Sequence, residues 1–280
     1  MKVKELRELF IQQIVCDVAL QKSTKRYYKE CVSYFTRLWP ELDGMAVAEV
    51  TRFDCAAFGA KLPALYSPVR ANGIIQRLNA MFRLAVELGV IEQNPAYSMR
   101  RIPVKIRPPT LPDAATFNRL LVEMDRYPIA RNGAEMVRFL AYSGLRIGEA
   151  RKLTAADITE HGIRVADAKN GETNYVPIIP ELKELLEKLP QSGPLFRIKN
   201  PRRTLQAACR RLGIPELTNH HLRHMFATRC IECAVDIKTV SSWLRHKDGG
   251  ALAMRYYAHV RNEHSKEMAA KVSFEIKTAA

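Results

Sequence analysis

The sequence predicts two domains: an all-α four-helix domain, then a mainly α domain that contains a small β-sheet. Apolar residues recur at helical spacing through residues 1–99, and a proline-rich stretch without acidic residues occupies residues 100–110. Beyond it, short alternating segments typical of strands interrupt the helical period between residues 157 and 179. A chain of 280 residues is long enough for two domains that each bury a core.

Residues 1–99 contain four segments with the apolar spacing of amphipathic helices. The second is predicted to end at Trp39, because the residue before a proline avoids helical backbone angles. Thr51 is placed to cap a short third helix that runs to Phe58. Ser67 precedes a proline that suits the first turn of a long fourth helix. With 13 Lys and Arg against 10 acidic residues, this domain is weakly basic.

Residues 100–110, RRIPVKIRPPT, predict an extended basic linker, since they combine three prolines with four basic residues and no acid. Such a linker suits a clamp that passes around DNA, whereas a solvated tether without contacts is the alternative reading. The predicted phosphate contacts of the linker are Arg100, Arg101, Lys105 and Arg107.

Residues 111–280 are predicted to be helical on either side of the strands. The helical segments are 111–125, 134–142 and 181–189. Gly144 breaks the pattern within SGLRIGEARKL, after which a helix resumes. Gly162 and Gly171 follow His and Asn in two turn signals, and Asn-Gly between alternating segments favours a hairpin. The tail 261–280 starts with helical spacing and ends with the alternation of a short strand.

A second basic segment spans residues 197–211, with six basic residues and no acid. On one helix, Arg203, Arg210 and Arg211 cannot all face the core. We therefore predict phosphate contacts here, with a solvated helix face as the alternative. The predicted contacts are Arg202, Arg203, Arg210 and Arg211.

Composition narrows the class of protein. The net charge of +15 and a pI near 9.7 favour a polyanionic partner, most commonly nucleic acid. The N-terminus lacks the pattern of a signal peptide and no window is apolar enough for a membrane span, which predicts an intracellular protein. Cys230 and Cys233 form a CxxC, but no second pair completes a zinc set, so no metal site is predicted.

Two short motifs combine residue types that bind a phosphate. Arg146 follows the Gly144 break at a predicted helix start, where an Arg fork and backbone N–H groups both favour an anion. His220 and Arg223 lie three residues apart and therefore on one helix face. His221 and His224 are nearby alternatives that are better suited to supporting roles.

Together these motifs resemble the tyrosine recombinase (phage integrase) family. The residues that carry the resemblance are Arg146 in SGLRIGEARKL, Lys169 in AKNGETNYVPI, His220 and Arg223 in HHLRHMFATR, His246 in VSSWLRH, and Tyr257 in YAHV. The resemblance covers about residues 111–265 and implies the catalytic fold of that family. The helical segment that ends in VIEQNPA is similar to the family's core-DNA-binding domain.

The resemblance implies that the Tyr257 hydroxyl attacks a DNA phosphate, forming a 3′-phosphotyrosyl link and freeing a 5′-hydroxyl. Arg146 and Arg223 would stabilise the charge on the non-bridging oxygens, with His246 as a further donor. Lys169 would protonate the leaving oxygen. No metal or nucleotide cofactor is implied, because the covalent link keeps the energy of the ester.

His220 is best cast as general base or acid near the nucleophile. The sequence departs from the family around His246: the preceding residue is Arg245 where the family usually has glycine, and the spacing to Tyr257 is longer than usual. Tyr256 stands beside Tyr257 as an alternative nucleophile. Tyr257 is favoured because a small residue, a histidine and an aliphatic residue follow it, as in the family.

The implied partners are double-stranded DNA recombination sites, a homotetramer on two duplexes, and accessory proteins. The tail 261–280 would dock on a neighbouring subunit or, alternatively, on its own domain. The layout is similar to short Xer-type recombinases without an arm-binding domain, and the expected location is cytoplasmic and DNA-associated. Two alternatives remain open from the sequence: a DNA-relaxing enzyme like type IB topoisomerases, and a non-catalytic DNA-binding protein of the same fold.

Overall fold

A computed structural model of the chain describes residues 1–105, 109–166 and 173–245. The chain divides into two compact units, Met1–Ile106 and Arg107–Ala280. Within the described ranges the second unit is mainly helical and carries one three-stranded sheet, which confirms that part of the predicted fold class. None of the helices in these ranges is long and apolar enough to cross a membrane.

The first unit contains four α-helices around one core. They are α1 (Val3–Cys16), α2 (Lys22–Leu38), α3 (Arg52–Leu65) and α4 (Pro68–Glu87), with 3-10 helices at Pro40–Gly44 and Val47–Glu49. Thr51 and Ser67 cap α3 and α4 by accepting hydrogen bonds from backbone N–H groups, as the sequence predicts. The predicted end of α3 at Phe58 is wrong. The helix continues because Leu62 is fully buried in the core, and Pro63 interrupts only the last turn.

The division between the units falls inside the predicted linker, but the linker's beginning is attached to the first unit. The Asn72 side chain in α4 donates to the Ile102 carbonyl at 2.8 Å and accepts from the Ile102 N–H at 2.8 Å. Ile102 also packs against the core of this unit. Ile102, which lies within the predicted linker, is therefore held on the first unit.

The second unit is built around α6. Its elements are α5 (Ala114–Asp125), α6 (Arg131–Ser143), α7 (Ile147–Ala150), β1 (Ile158–Thr159), β2 (Gly162–Ala166), β3 (Thr173–Val176), α8 (Pro180–Lys188), α9 (Arg202–Arg211), α10 (Asn219–Glu232) and α11 (Ile237–Trp243), with 3-10 helices at Pro128–Ala130 and Ala155–Asp157. Helices α5, α8, α9 and α10 all pack against α6. Met136, Phe139 and Leu140 on α6 are fully buried, so this helix forms the centre of the core.

The sheet is antiparallel, in the order β1-β2-β3, with Ile163 paired to Ile158 on one side and Val176 on the other. Asp157 anchors the first strand: its carboxylate accepts from Thr154 N–H at 2.9 Å and lies 3.2 Å from Arg164 Nη2. The predicted Asn-Gly turn that joins β2 and β3 lies outside the described residues.

Candidate active site

Arg146 owes its position to the turn that ends α6. Gly144 adopts the left-handed conformation with a φ of 64°. A Cβ atom there would lie 2.5 Å from Phe226 Cδ1 and 2.8 Å from Leu244 Cδ2, so backbone and packing both require glycine. Arg146 then becomes the residue that precedes α7, with about half of its side chain exposed. It can therefore meet an anion from solvent.

Arg223 is a buried arginine in α10, with only 4% of its surface exposed. Its Nη1 donates to the Gly144 carbonyl at 2.8 Å, and its Nη2 donates to the Leu244 carbonyl. A buried guanidinium is stable only with such partners. Arg223 thereby joins the first half of α10 to the turn before Arg146 and to the end of α11.

The local sequence explains why α10 holds Arg223 in place. Thr218 caps the helix by accepting from the His221 N–H at 3.3 Å. One face of α10 packs on α6, while Phe226 and Ile231 form a small apolar cluster with Val240 of α11. The ends of α6 and α11 therefore flank the buried guanidinium, which binds the carbonyls of the residues that follow them, Gly144 and Leu244.

His220 lies three residues before Arg223 and keeps part of its ring in solvent. Partial burial lowers the pKa of the imidazole, and the positive charges of Arg223 and Arg146 lower this pKa further. The ring packs edge-on against His224, with centroids 4.5 Å apart. A neutral imidazole can accept a proton, which is what the general-base alternative of the predicted role, general base or acid, requires.

His221 has a different environment. Its Nδ1 accepts from the Thr218 N–H at 3.3 Å, so the side chain belongs to the cap of α10. Burial lowers the pKa of this imidazole as well. These contacts fit the supporting role that the sequence suggested for His221.

Sequence reasoning missed Glu149. Its carboxylate accepts from the Arg146 N–H at 2.8 Å and lies 3.2 Å from Arg146 Nη1. The same carboxylate forms an ion pair with Arg245, whose side chain is only 13% exposed. Arg245 adopts a φ of 53°, which is uncommon for a residue with a Cβ atom. The arginine at a position where the family usually has glycine was the available signal of this ion pair, but its partner Glu149 is distant in the sequence.

Of the predicted catalytic residues, the structure describes Arg146, His220 and Arg223 and brings them to one region of the second unit. The remaining predicted catalytic residues lie outside the described residues: Lys169, His246 and Tyr257, together with the alternative Tyr256. Their assignments stay predictions.

The predicted DNA contacts of α9 differ in their surroundings. Arg202 and Arg203 are exposed at the start of the helix. At its end, Arg210 forms an ion pair with Glu216 at 2.6 Å. Arg211 lies 2.6 Å from the buried carboxylate of Glu123 and stacks on a tyrosine ring. Phosphate contact stays a prediction for all four arginines. The contacts of Arg211 with Glu123 and the tyrosine ring favour a role in the stability of the fold.

Of the contacts predicted for residues 100–110, Arg100, Arg101 and Lys105 are exposed, while Arg107 lies outside the described residues. Among the residues that the structure describes, no group of three or more His, Cys, Asp or Glu side chains could hold a metal ion. Burial raises the pKa of the Cys230 thiol to about 11, so this cysteine stays protonated as a small, weakly polar side chain.

The sequence model described as "Phage integrase family" matches residues 113–264. Tyrosine recombinase XerA from Pyrococcus furiosus is 27% identical over 290 aligned residues, covering 95% of this chain and 95% of that protein.

Solved structures with the same fold include proteins bound to DNA. A lambda integrase (75–356) dimer bound to a COC′ core site superposes with a TM-score of 0.76 at 19% identity, covering 89% of this chain and 96% of that chain. A lambda integrase tetramer bound to a Holliday junction gives a TM-score of 0.72 at 18% identity, with coverage of 88% and 78%.

Proposed function

Since the chain belongs to the phage integrase family and is a tyrosine-type site-specific DNA recombinase, we propose that Tyr257 forms the covalent bond to DNA. The observation that carries this proposal is the position of Arg223. Through two backbone carbonyls it holds the turn that leads to Arg146 and the end of α11. Two guanidinium groups and a neutral imidazole thus serve one phosphate site.

In the proposed reaction, the Tyr257 hydroxyl oxygen attacks phosphorus while the bond to the 5′-oxygen breaks. The tyrosine proton passes to His220, and the leaving oxygen takes a proton from Lys169. A tyrosine with its usual pKa of about 10 is a weak nucleophile at neutral pH, so a base beside it is needed. The 3′-phosphotyrosyl ester keeps the energy of the original bond, and the attack of a 5′-hydroxyl reverses the step.

Arg146 and Arg223 act on the charge that grows on the non-bridging oxygens. A guanidinium has five N–H donors in a planar fork, and the carbonyls of Gly144 and Leu244 hold the fork of Arg223 in a fixed orientation. Preorganised donors of this kind contribute about 100- to 1,000-fold each to the rate. His246 adds a further donor to the same oxygens.

We propose that the partner is a double-stranded recombination site, and that the active assembly is a tetramer on two duplexes. The lambda integrase structures support this, since one is a dimer on a core site and another a tetramer on a Holliday junction. The exposed Arg202 and Arg203 of α9, with Arg100, Arg101 and Lys105 of the predicted linker segment 100–110, supply phosphate contacts outside the active site.

The test is to trap the adduct on a nicked suicide substrate whose cleaved strand diffuses away. Wild type and Tyr256→Phe are expected to become covalently attached to DNA, whereas Tyr257→Phe is expected to bind DNA without attachment. Peptide mapping of the adduct then identifies the attached residue. Attachment that survives in Tyr257→Phe and disappears in Tyr256→Phe would contradict the assignment of the nucleophile.

A further inference from the structure

Arg245 combines two features that rarely occur together. Its backbone is in the left-handed region, with a φ of 53°, where glycine is favoured. Its side chain nevertheless turns inwards, is 13% exposed, and pairs with Glu149. A long charged side chain at a position suited to glycine indicates that the side chain itself has a function.

Glu149 is the common partner of two arginines. One carboxylate oxygen lies near Arg146 Nη1 at 3.2 Å, and the other accepts from the Arg146 N–H and pairs with Arg245. The carboxylate is 23% exposed, so solvent screens its charge only in part. The negative charge of Glu149 has two effects: it attracts the Arg146 guanidinium, and it repels an incoming DNA phosphate.

We propose that Arg245 is a positioning residue of the active site. Arg245 neutralises the Glu149 carboxylate, so that the Arg146 side chain can turn from this carboxylate to the DNA phosphate. When Arg146 turns away, Glu149 keeps Arg245 and the Arg146 N–H as partners. Without Arg245, the Arg146 side chain is the cation left to Glu149 in the described contacts, and its departure would leave the carboxylate poorly paired.

The backbone around Arg245 supports this role. Leu244 gives its carbonyl to Arg223, and Arg245 follows directly with its contact to Glu149. Leu244 is thereby held by Arg223, and Arg245 is held by Glu149, which also binds Arg146. The inference rests on the proposed function, because it assigns a purpose to the Arg146 fork.

The test compares four proteins in single-turnover cleavage of a suicide substrate: wild type, Arg245→Gln, Arg245→Lys and the double variant Glu149→Gln/Arg245→Gln. We expect Arg245→Gln to lower the rate constant at saturating DNA about ten-fold or more, with the half-saturating DNA concentration changed less than about three-fold. Arg245→Lys keeps the charge and is expected to retain most of the rate. The double variant is expected to regain rate over Arg245→Gln, since no carboxylate then holds Arg146.

Arg229→Gln is the matched control, because Arg229 forms an exposed ion pair with Glu232 on the same unit. Arg245→Gly controls for folding, since the relief of the left-handed backbone offsets the loss of the ion pair with Glu149. Its thermal unfolding should therefore stay close to that of wild type, while its cleavage is slowed like that of Arg245→Gln. A wild-type rate in Arg245→Gln, an equal loss in Arg245→Lys, or no recovery in the double variant each overturns the inference. If wild type itself forms no adduct, the proposed function fails first.

Discussion

Replacing Arg223 with lysine tests whether its buried guanidinium both stabilises the fold around the active site and contributes to DNA cleavage. Lysine carries one ammonium group, which can reach only one of the two carbonyls that Arg223 binds. The loss of one charge-assisted hydrogen bond predicts a decrease of about 1.5–3 kcal/mol in the free energy of unfolding. For a unit of this size, that decrease corresponds to a shift of about 3–12 °C in the melting temperature.

The same substitution removes a planar fork from the transition state, so adduct formation is expected to fall about 100-fold or more. Thermal unfolding and single-turnover cleavage measure the two effects separately. Arg229→Lys is the matched control on α10: its side chain is 67% exposed, and its stability should stay within about 0.5 kcal/mol of wild type. A variant at 223 with an unchanged melting temperature and a cleavage rate within three-fold of wild type would refute the reasoning.

Two further predictions concern stability and DNA affinity. Burial lowers the pKa of both His220 and His221, so below about pH 6.5 the unfolded chain binds protons that the folded chain does not. Stability should therefore decrease as pH falls through this range; urea unfolding at several pH values should show a smaller decrease in His221→Gln, and an equal decrease would contradict this cause. Arg211→Gln should lower the melting temperature by breaking the pair with Glu123, whereas Arg203→Gln should leave it unchanged and weaken DNA binding. A gel-shift titration that finds the larger affinity loss in Arg211→Gln would reverse these roles.

The residues that the sequence predicted correctly depend on local rules. Thr51 and Ser67 cap their helices because a side-chain oxygen meets N–H groups only a few residues away. Gly144 was visible as a break because glycine suits the left-handed end of a helix. The position of Arg146 at the start of the next helix follows from that break.

The residues that the sequence did not predict depend on distant partners. The carbonyls that bind Arg223 lie 79 and 21 positions away in the sequence. Every residue has a backbone carbonyl, so the sequence does not indicate which ones bind an arginine. Arg211 was read as a phosphate contact because its partner Glu123 is 88 positions away and the local segment contains no acid. The pair between Glu149 and Arg245 was missed for the same reason. Charge pattern identifies basic segments, but only the folded chain shows which cations are already paired.

The contact between Arg223 and the Gly144 carbonyl also sets the order in which the enzyme matures. At about 5–20 residues per second, the ribosome delivers Arg223 roughly 4–16 s after Gly144, and Leu244 follows later still. Helix α6 can form during this interval, but the turn that follows it has no buried guanidinium to bind. In a nascent chain the turn before Arg146 therefore lacks its buried partner, and DNA cleavage waits until α10 and α11 have been synthesised and packed.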